Sequence, residues 1–381
     1  MRRRRQAARV GAPQWAGLFC LCATLLTLPG RLVAASGSGT PPPASAPDHF
    51  QLVRTRAGSG PAATLATLAE WEWRRAAIVR EMERVMGPLP GPEKRCPLAV
   101  RVESEEDCGS FVRRFLTYAA EPGGRVPAYL LIPKALLRHP VRTPAILCLH
   151  QTHPLGQKVV VGLGNSPNDE YGVELAQRGY VCLAPAYPLL AEYQPDLTRL
   201  GYASGTMKAI WDNLRGLDLL ESLPFVQRGR FGAVGHSLGG HNALFTAVFD
   251  PRLKVVVSSC GLDSFQDYMD GDIRGWTSVR YMPRLLTYAL FRLPFDFPEV
   301  IGALAPRYCL LSAPVHDANF KWRSVDAIVQ AATPVFRLYN APDHLHVLHP
   351  DCAHLFPPEV RAQAYALFAR HLGRPPAERL P

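Results

Sequence analysis

The stretch Gly235-His236-Ser237-Leu238-Gly239-Gly240 constrains this chain more than any other. An apolar run over 230–234 leads into it, and a helix-patterned run over 238–249 leaves it and stops at Asp250-Pro251. A serine on so sharp a strand-to-helix turn is held in a strained backbone conformation, and side chains two positions to either side would collide. Glycine at 235 and 239 removes that collision, and Gly240 lets the helix approach the sheet closely. The start of the helix then aims backbone N–H groups at whatever lies over the serine. Ser237 reads as a nucleophile; the competing reading of the same residues is a plain glycine-rich turn.

Serine needs a base to become a nucleophile, and the base needs a carboxylate to orient it. After a turn of this kind the chain order is serine, acid, histidine. Four histidines crowd residues 344–354: His344, His346, His349 and His354. His354, in Asp351-Cys352-Ala353-His354-Leu355-Phe356-Pro357-Pro358, falls between the last strand and the last helix, where a ring can reach back over the elbow. His349 is the second choice. For the acid the choice is Asp317, in a short loop after an apolar run at 309–312, with Asp343 and Asp351 as rivals. Oxyanion donors are expected from the amide of Leu238 and from the loop after 145–149, with Thr152 first and Gln151 as the alternative. His344 and His346, two apart, would share one face of a strand. No HExxH motif or carboxylate cluster accompanies them, so no metal or other cofactor is assigned.

From residue 145 onward apolar strand-like runs alternate with helix-like ones, at 145–149, 169–178, 181–184, 207–223, 230–234, 238–249, 254–259, 309–312, 323–332, 345–348 and 359–372. Such alternation predicts a mostly parallel sheet covered by helices on both faces. Residues 261–306 break the rhythm with eight aromatics, Phe265, Tyr268, Trp276, Tyr281, Tyr288, Phe291, Phe295 and Phe297, and are expected to form a lid. Trp276 and Tyr281 are expected to stack on substrate. His241, one helical turn past Ser237, is expected to bind a hydroxyl. Upstream, 63–124 should form an extension. An amphipathic helix over 63–86 would bury Leu65, Leu68, Trp71, Ile78, Met82 and Val85, and short strands would follow over 97–133.

The first 35 residues hold six arginines, an apolar run of about 14 residues, and Val33-Ala34-Ala35. That is the build of an export signal cleaved after Ala35, or else Ala34, leaving a secreted or periplasmic protein. An uncleaved membrane anchor is the alternative. A flexible linker follows to residue 62. The formal charge of +10 comes largely from that start: without it 36 basic residues face 32 acidic ones, too mild an excess for nucleic-acid binding. Seven cysteines remain beyond the signal. Cys148, Cys182, Cys260 and Cys309 read as small buried hydrophobes, and Cys96–Cys108 is the candidate disulfide.

The HQT loop, GHSLGGHNA, SAPVHD and DCAHLFPPEVR together resemble the serine-dependent α/β-hydrolases, closest to exported dienelactone-hydrolase-like and acetyl-xylan-esterase-like enzymes. The resemblance covers about 125–372. It implies an α/β-hydrolase fold and cleavage of carboxylic esters, short acyl esters and those of carbohydrates included. Dienelactone hydrolases usually carry cysteine where Ser237 stands. Glucuronoyl esterases follow their serine with an arginine and a lysine, where this chain has Leu238 and Gly240. A peptidase on the same fold, or an inactive hydrolase fold kept for binding, are the rival readings. The oligomeric state is not legible.

Overall fold

Along the inner strands of this protein, successive buried side chains enter two different cores. In the central strand Ala145, Leu147 and Leu149 enter one and Ile146 and Cys148 the other, as the two-residue period of an extended chain requires. The computed structural model describes residues 47–53, 67–164 and 166–375. The expected export signal, its cleavage point and most of the linker lie outside them, as does Leu65.

Among the described residues, nine strands make one sheet. They are β1 (Arg101–Asp107), β2 (Phe111–Glu121), β3 (Gly124–Pro133), β4 (Thr143–Leu149), β5 (Val181–Pro185), β6 (Val226–His236), β7 (Leu253–Ser259), β8 (Tyr308–Ser312) and β9 (Leu345–Leu348). The spatial order is β1-β2-β3-β5-β4-β6-β7-β8-β9. The first three strands pair antiparallel, with β3 antiparallel to β5. From β5 across to β9 every pairing is parallel.

The helices are α1 (Leu68–Met86), α2 (Lys134–Arg138), α3 (Tyr171–Gln177), α4 (Gly205–Ser222), α5 (Leu238–Phe249), α6 (Phe297–Gly302), α7 (Trp322–Leu338) and α8 (Pro358–His371). Residues of α1, α4, α5, α6 and α7 fill one core, and those of α3 and α8 the other. The mostly parallel sheet with helices on both faces is the architecture that strand–helix alternation predicts.

Several expectations need correction. Helix α1 starts at Leu68, because Thr67 and Glu70 form a capping box there. Leu68 therefore sits in the first turn, 42% exposed, while Trp71, Ile78, Met82 and Val85 are buried. Helix α7 runs six residues past 332, through Pro334, held by the burial of Val335 and Phe336. Cys96 and Cys108 are both free thiols. They flank β1, and seven extended residues span about 23 Å, far beyond the ~7 Å limit on the Cα separation of a disulfide. The other four cysteines named above are buried.

Strand β4 lies between β5 and β6. The chain therefore leaves β4 toward one side of the sheet and returns on the other. Loops after β4 and β6 diverge at their C-terminal ends and open a crevice, which is where open α/β sheets bind ligands.

Candidate active site

Two loops and a turn meet over that crevice. At the turn, Ser237 has φ 54° and ψ −119°, a region that non-glycine residues seldom enter. The glycines are required by close approach. A Cβ on Gly235 would lie 2.1 Å from the Gly239 carbonyl oxygen, and one on Gly239 would lie 1.8 Å from that of Leu149. The Ser237 amide donates to the Ser259 carbonyl at 2.8 Å, which ties the elbow to the end of β7.

His354 stands on the loop between β9 and α8, and Asp317 on the loop after β8. The His354 Nδ1 lies 3.0 and 2.9 Å from the two carboxylate oxygens of Asp317. Nε2, the nitrogen a base would use, is buried and has no partner. The Asp317 carboxylate is 1% exposed. Burial pushes its pKa up, but the bonds from His354 and from the Asn319 and Phe320 amides outweigh it and hold the group below its usual range.

The rivals are engaged elsewhere. His349 has Nδ1 2.8 Å from the Ala313 carbonyl and Nε2 2.8 Å from Asp326. Asp351 is 87% exposed and pairs with His316 at 2.8 Å. Asp343 lies in the turn Pro342–His344. That turn also holds His344, so only His346 is on β9, and the shared strand face expected for the two does not form. The Nδ1 of His344 is 2.6 Å from the Pro306 carbonyl instead.

Ser237 and His354 line a cavity of about 310 Å³ together with Gln151, Thr152, Leu238, His241, Trp276 and Tyr281. All the residues singled out around the serine therefore reach one space, except Asp317, which stands behind His354. Of the eight aromatics in 261–306, Tyr268, Trp276 and Tyr281 line it. Phe265, Phe295 and Phe297 are fully buried, and pack about one another and Phe245. Tyr281 also reaches the β4 loop, with its hydroxyl 3.2 Å from the Thr152 hydroxyl.

Three residues that sequence reasoning passed over complete the site. His236 packs on His354 with ring centroids 4.8 Å apart. Burial, then the neighbouring His354 charge, lowers its pKa to about 3. His150 is held neutral by burial, with a pKa of about 4. Its Nε2 accepts from the Tyr187 amide at 3.0 Å, which leaves Nδ1–H to donate to the Gln151 carbonyl at 2.8 Å. That carbonyl and the Thr152 N–H belong to one peptide unit, so the bond fixes the direction of the Thr152 N–H. Cys260, at φ 50°, puts its thiol within 4.8 Å of Asp317 and His354. Burial raises the thiol pKa far above its ordinary value. The signals for these were faint: a histidine beside the serine, another ending an apolar strand, and a cysteine one residue past β7.

No protein-family model matches the chain. YtaP of Bacillus subtilis (strain 168), which is named as a hydrolase, is 25% identical over 311 residues, covering 78% of this chain and 100% of YtaP. Among solved structures, a glucuronoyl esterase from Solibacter usitatus superposes with TM-score 0.62 at 17% identity, covering 84% of this chain and 98% of that one. A promiscuous family-15 carbohydrate esterase from a marine bacterial metagenome gives 0.61 at 17%, covering 87% and 97%. A protein of Bacteroides fragilis NCTC 9343 described as an acetyl xylan esterase gives 0.57 at 16%, covering 79% and 80%. The fold is that of the α/β-hydrolases. No helix among the described residues is long and apolar enough to cross a membrane.

Proposed function

We propose that this chain is an exported serine hydrolase that cleaves short acyl esters of carbohydrate alcohols through a Ser237–His354–Asp317 triad. The observation that carries the reading is convergence. A strained serine and a histidine with a free Nε2 line one cavity, and a carboxylate grips that histidine's far nitrogen. Ser237 Oγ attacks the ester carbonyl while His354 Nε2 takes its proton. Asp317 keeps Nδ1–H in place and stabilises the imidazolium. The amides of Leu238 and Thr152, with Gln151 as the alternative to Thr152, donate hydrogen bonds to the carbonyl oxygen as it becomes negative. The alcohol leaves with the proton from His354, and water repeats the sequence to free the acid.

The relatives named above support an ester substrate, and all three solved ones are named as carbohydrate esterases, one of them for acetyl xylan. A cavity of about 310 Å³ is at the small end for ligand pockets, which suits a short acyl group. Aromatic Tyr268, Trp276 and Tyr281 offer faces for a sugar ring.

Ser237→Ala should lower hydrolysis of short aryl esters by at least ~10³-fold; a variant keeping more than a tenth of the rate would refute the nucleophile. Catalytic efficiency on an acetylated sugar should exceed that on a long-chain aryl ester, and the reverse order would turn the cavity into an acyl tunnel. Esters should also outpace peptide amides. For the exported state, mass spectrometry of the secreted protein should find an N-terminus at Ser36 or Ala35, whereas a membrane-bound product starting at Met1 would mean an anchor.

A further inference from the structure

Two rings at the cavity wall, apart from the triad and its loops, carry three buried polar atoms with nothing to bond to. His241 is 4% exposed, and neither its Nδ1 nor its Nε2 has a partner. Its ring leans on Trp276 with centroids 4.7 Å apart, and the indole Nε1 of Trp276 is likewise buried and unpaired. Both rings line the cavity that contains Ser237. A buried polar atom left unpaired costs about 1–3 kcal/mol, and apolar rings would fill the same volume at no such cost. The next turn of α5 does so with Phe245, 5.7 Å from His241. Burial alone lowers the His241 pKa to about 3, so the ring is neutral and carries one donor and one acceptor. The indole adds a second donor.

We infer that His241 and Trp276 form a recognition subsite for the hydroxyl groups of an uncharged polyol ester. His241 donates to one hydroxyl oxygen and accepts a hydroxyl proton at its other nitrogen, and Trp276 Nε1 donates to a hydroxyl oxygen. The inference deepens the carbohydrate-ester reading and rests on it. Two donors and an acceptor side by side match hydroxyls, which both give and take. A carboxylate or phosphate would call for a cation, and no lysine or arginine is among the described residues lining the cavity. Selectivity follows from the unpaired atoms. A site built to bond a hydroxyl is left with buried orphans when the hydroxyl is missing, and so disfavours the deoxy analogue.

The test compares an acetylated pyranoside with the same ester lacking the neighbouring hydroxyl, in the wild type, His241→Phe and Trp276→Phe. Titration with a fluorophosphonate counts competent serines, so every rate is per reactive Ser237 and misfolded protein does not enter. The wild type should favour the hydroxylated ester by roughly 10- to 100-fold in kcat/KM. His241→Phe should reduce that ratio to about 3-fold or less, and Trp276→Phe should reduce it in part. A wild type that turns over both sugar esters equally, or a His241→Phe variant that keeps the full preference, would make the two rings packing groups and overturn the subsite. A wild type that hydrolyses aryl esters but no sugar ester would overturn the carbohydrate reading itself, and the subsite with it.

Discussion

The strain at Ser237 and the grip of Asp317 on His354 belong to one geometry, in which each group has a single direction left to act. Asp317 binds Nδ1 with both oxygens, so the imidazole is held with its proton there and its free lone pair on Nε2. Asp317→Asn would let the side-chain amide donate to Nδ1 and select the opposite tautomer. Turnover should then fall by roughly 10³–10⁴-fold with the thermal midpoint little changed; equal damage from Asp351→Asn or Asp343→Asn in its place would move the acid there. Burial keeps His236 and His241 neutral down to about pH 3, so neither ring brings a positive charge to the site near neutral pH. The three residues of the proposed triad could be picked out because glycine spacing and chain order reflect local sterics and topology, both of which leave marks in sequence. His150, His236 and Cys260 were not, because their roles depend on which polar groups meet across loops and strands.

Elements 50 or more residues apart position one another here through single buried groups. Asp263, just past β7, is fully buried, and one of its oxygens accepts the Lys321 amide at 3.1 Å where α7 begins. Its other oxygen has no partner. Burial, aided by the charges of Asp267 and Asp296, pushes its pKa up to about 8 against the opposing Lys321 contacts. The folded protein therefore holds a proton that the unfolded chain releases near pH 4. Stability from this group is complete below about pH 4 and drains away as pH rises toward about 8, by up to about 1.4 kcal/mol per unit. Asp263→Asn keeps the acceptor without the titration. The stability of the variant relative to wild type should grow by roughly 2–4 kcal/mol between pH 5 and pH 8, read from urea midpoints at each pH; parallel curves would mean that Asp263 is already ionised and partnered. At this scale the alternation of strands and helices was legible, since apolar runs and their stops are written locally. The continuation of α7 through Pro334 was not, because burial of Val335 and Phe336 overrides a local break.

Across the whole molecule, α4 carries the heaviest constraint: fifteen of its 18 residues are buried, so whatever charge it bears must be answered inside the protein. Lys208 and Asp212 on α4 bond each other, and Lys208 Nζ lies 3.0 Å from Glu121 at the end of β2. Tyr202 donates to Glu121 at 2.6 Å and Tyr193 to Asp212 at 3.0 Å, and Lys94 reaches Glu121 at 3.1 Å from ahead of β1. The cluster thus ties the segment before β3 to the helix that runs beneath the site. Burial raises the Asp212 pKa to about 6 even with Lys208 beside it. Coulomb attraction inside a protein repays desolvation only while every partner is present. Lys208→Met removes the shared cation, leaving Asp212 buried with Tyr193 alone and Glu121 with Lys94 and Tyr202, so unfolding free energy should fall by about 3–5 kcal/mol. Replacing all three, as Lys208→Met/Glu121→Gln/Asp212→Asn, should recover most of that loss, because neutral amides can still accept the two tyrosine hydroxyls. Denaturant midpoints of the three proteins at pH 7.5 decide it. A Lys208→Met variant as stable as wild type would mean that the acids take up protons at negligible cost, and the join would then rest on the apolar contacts around α4 alone.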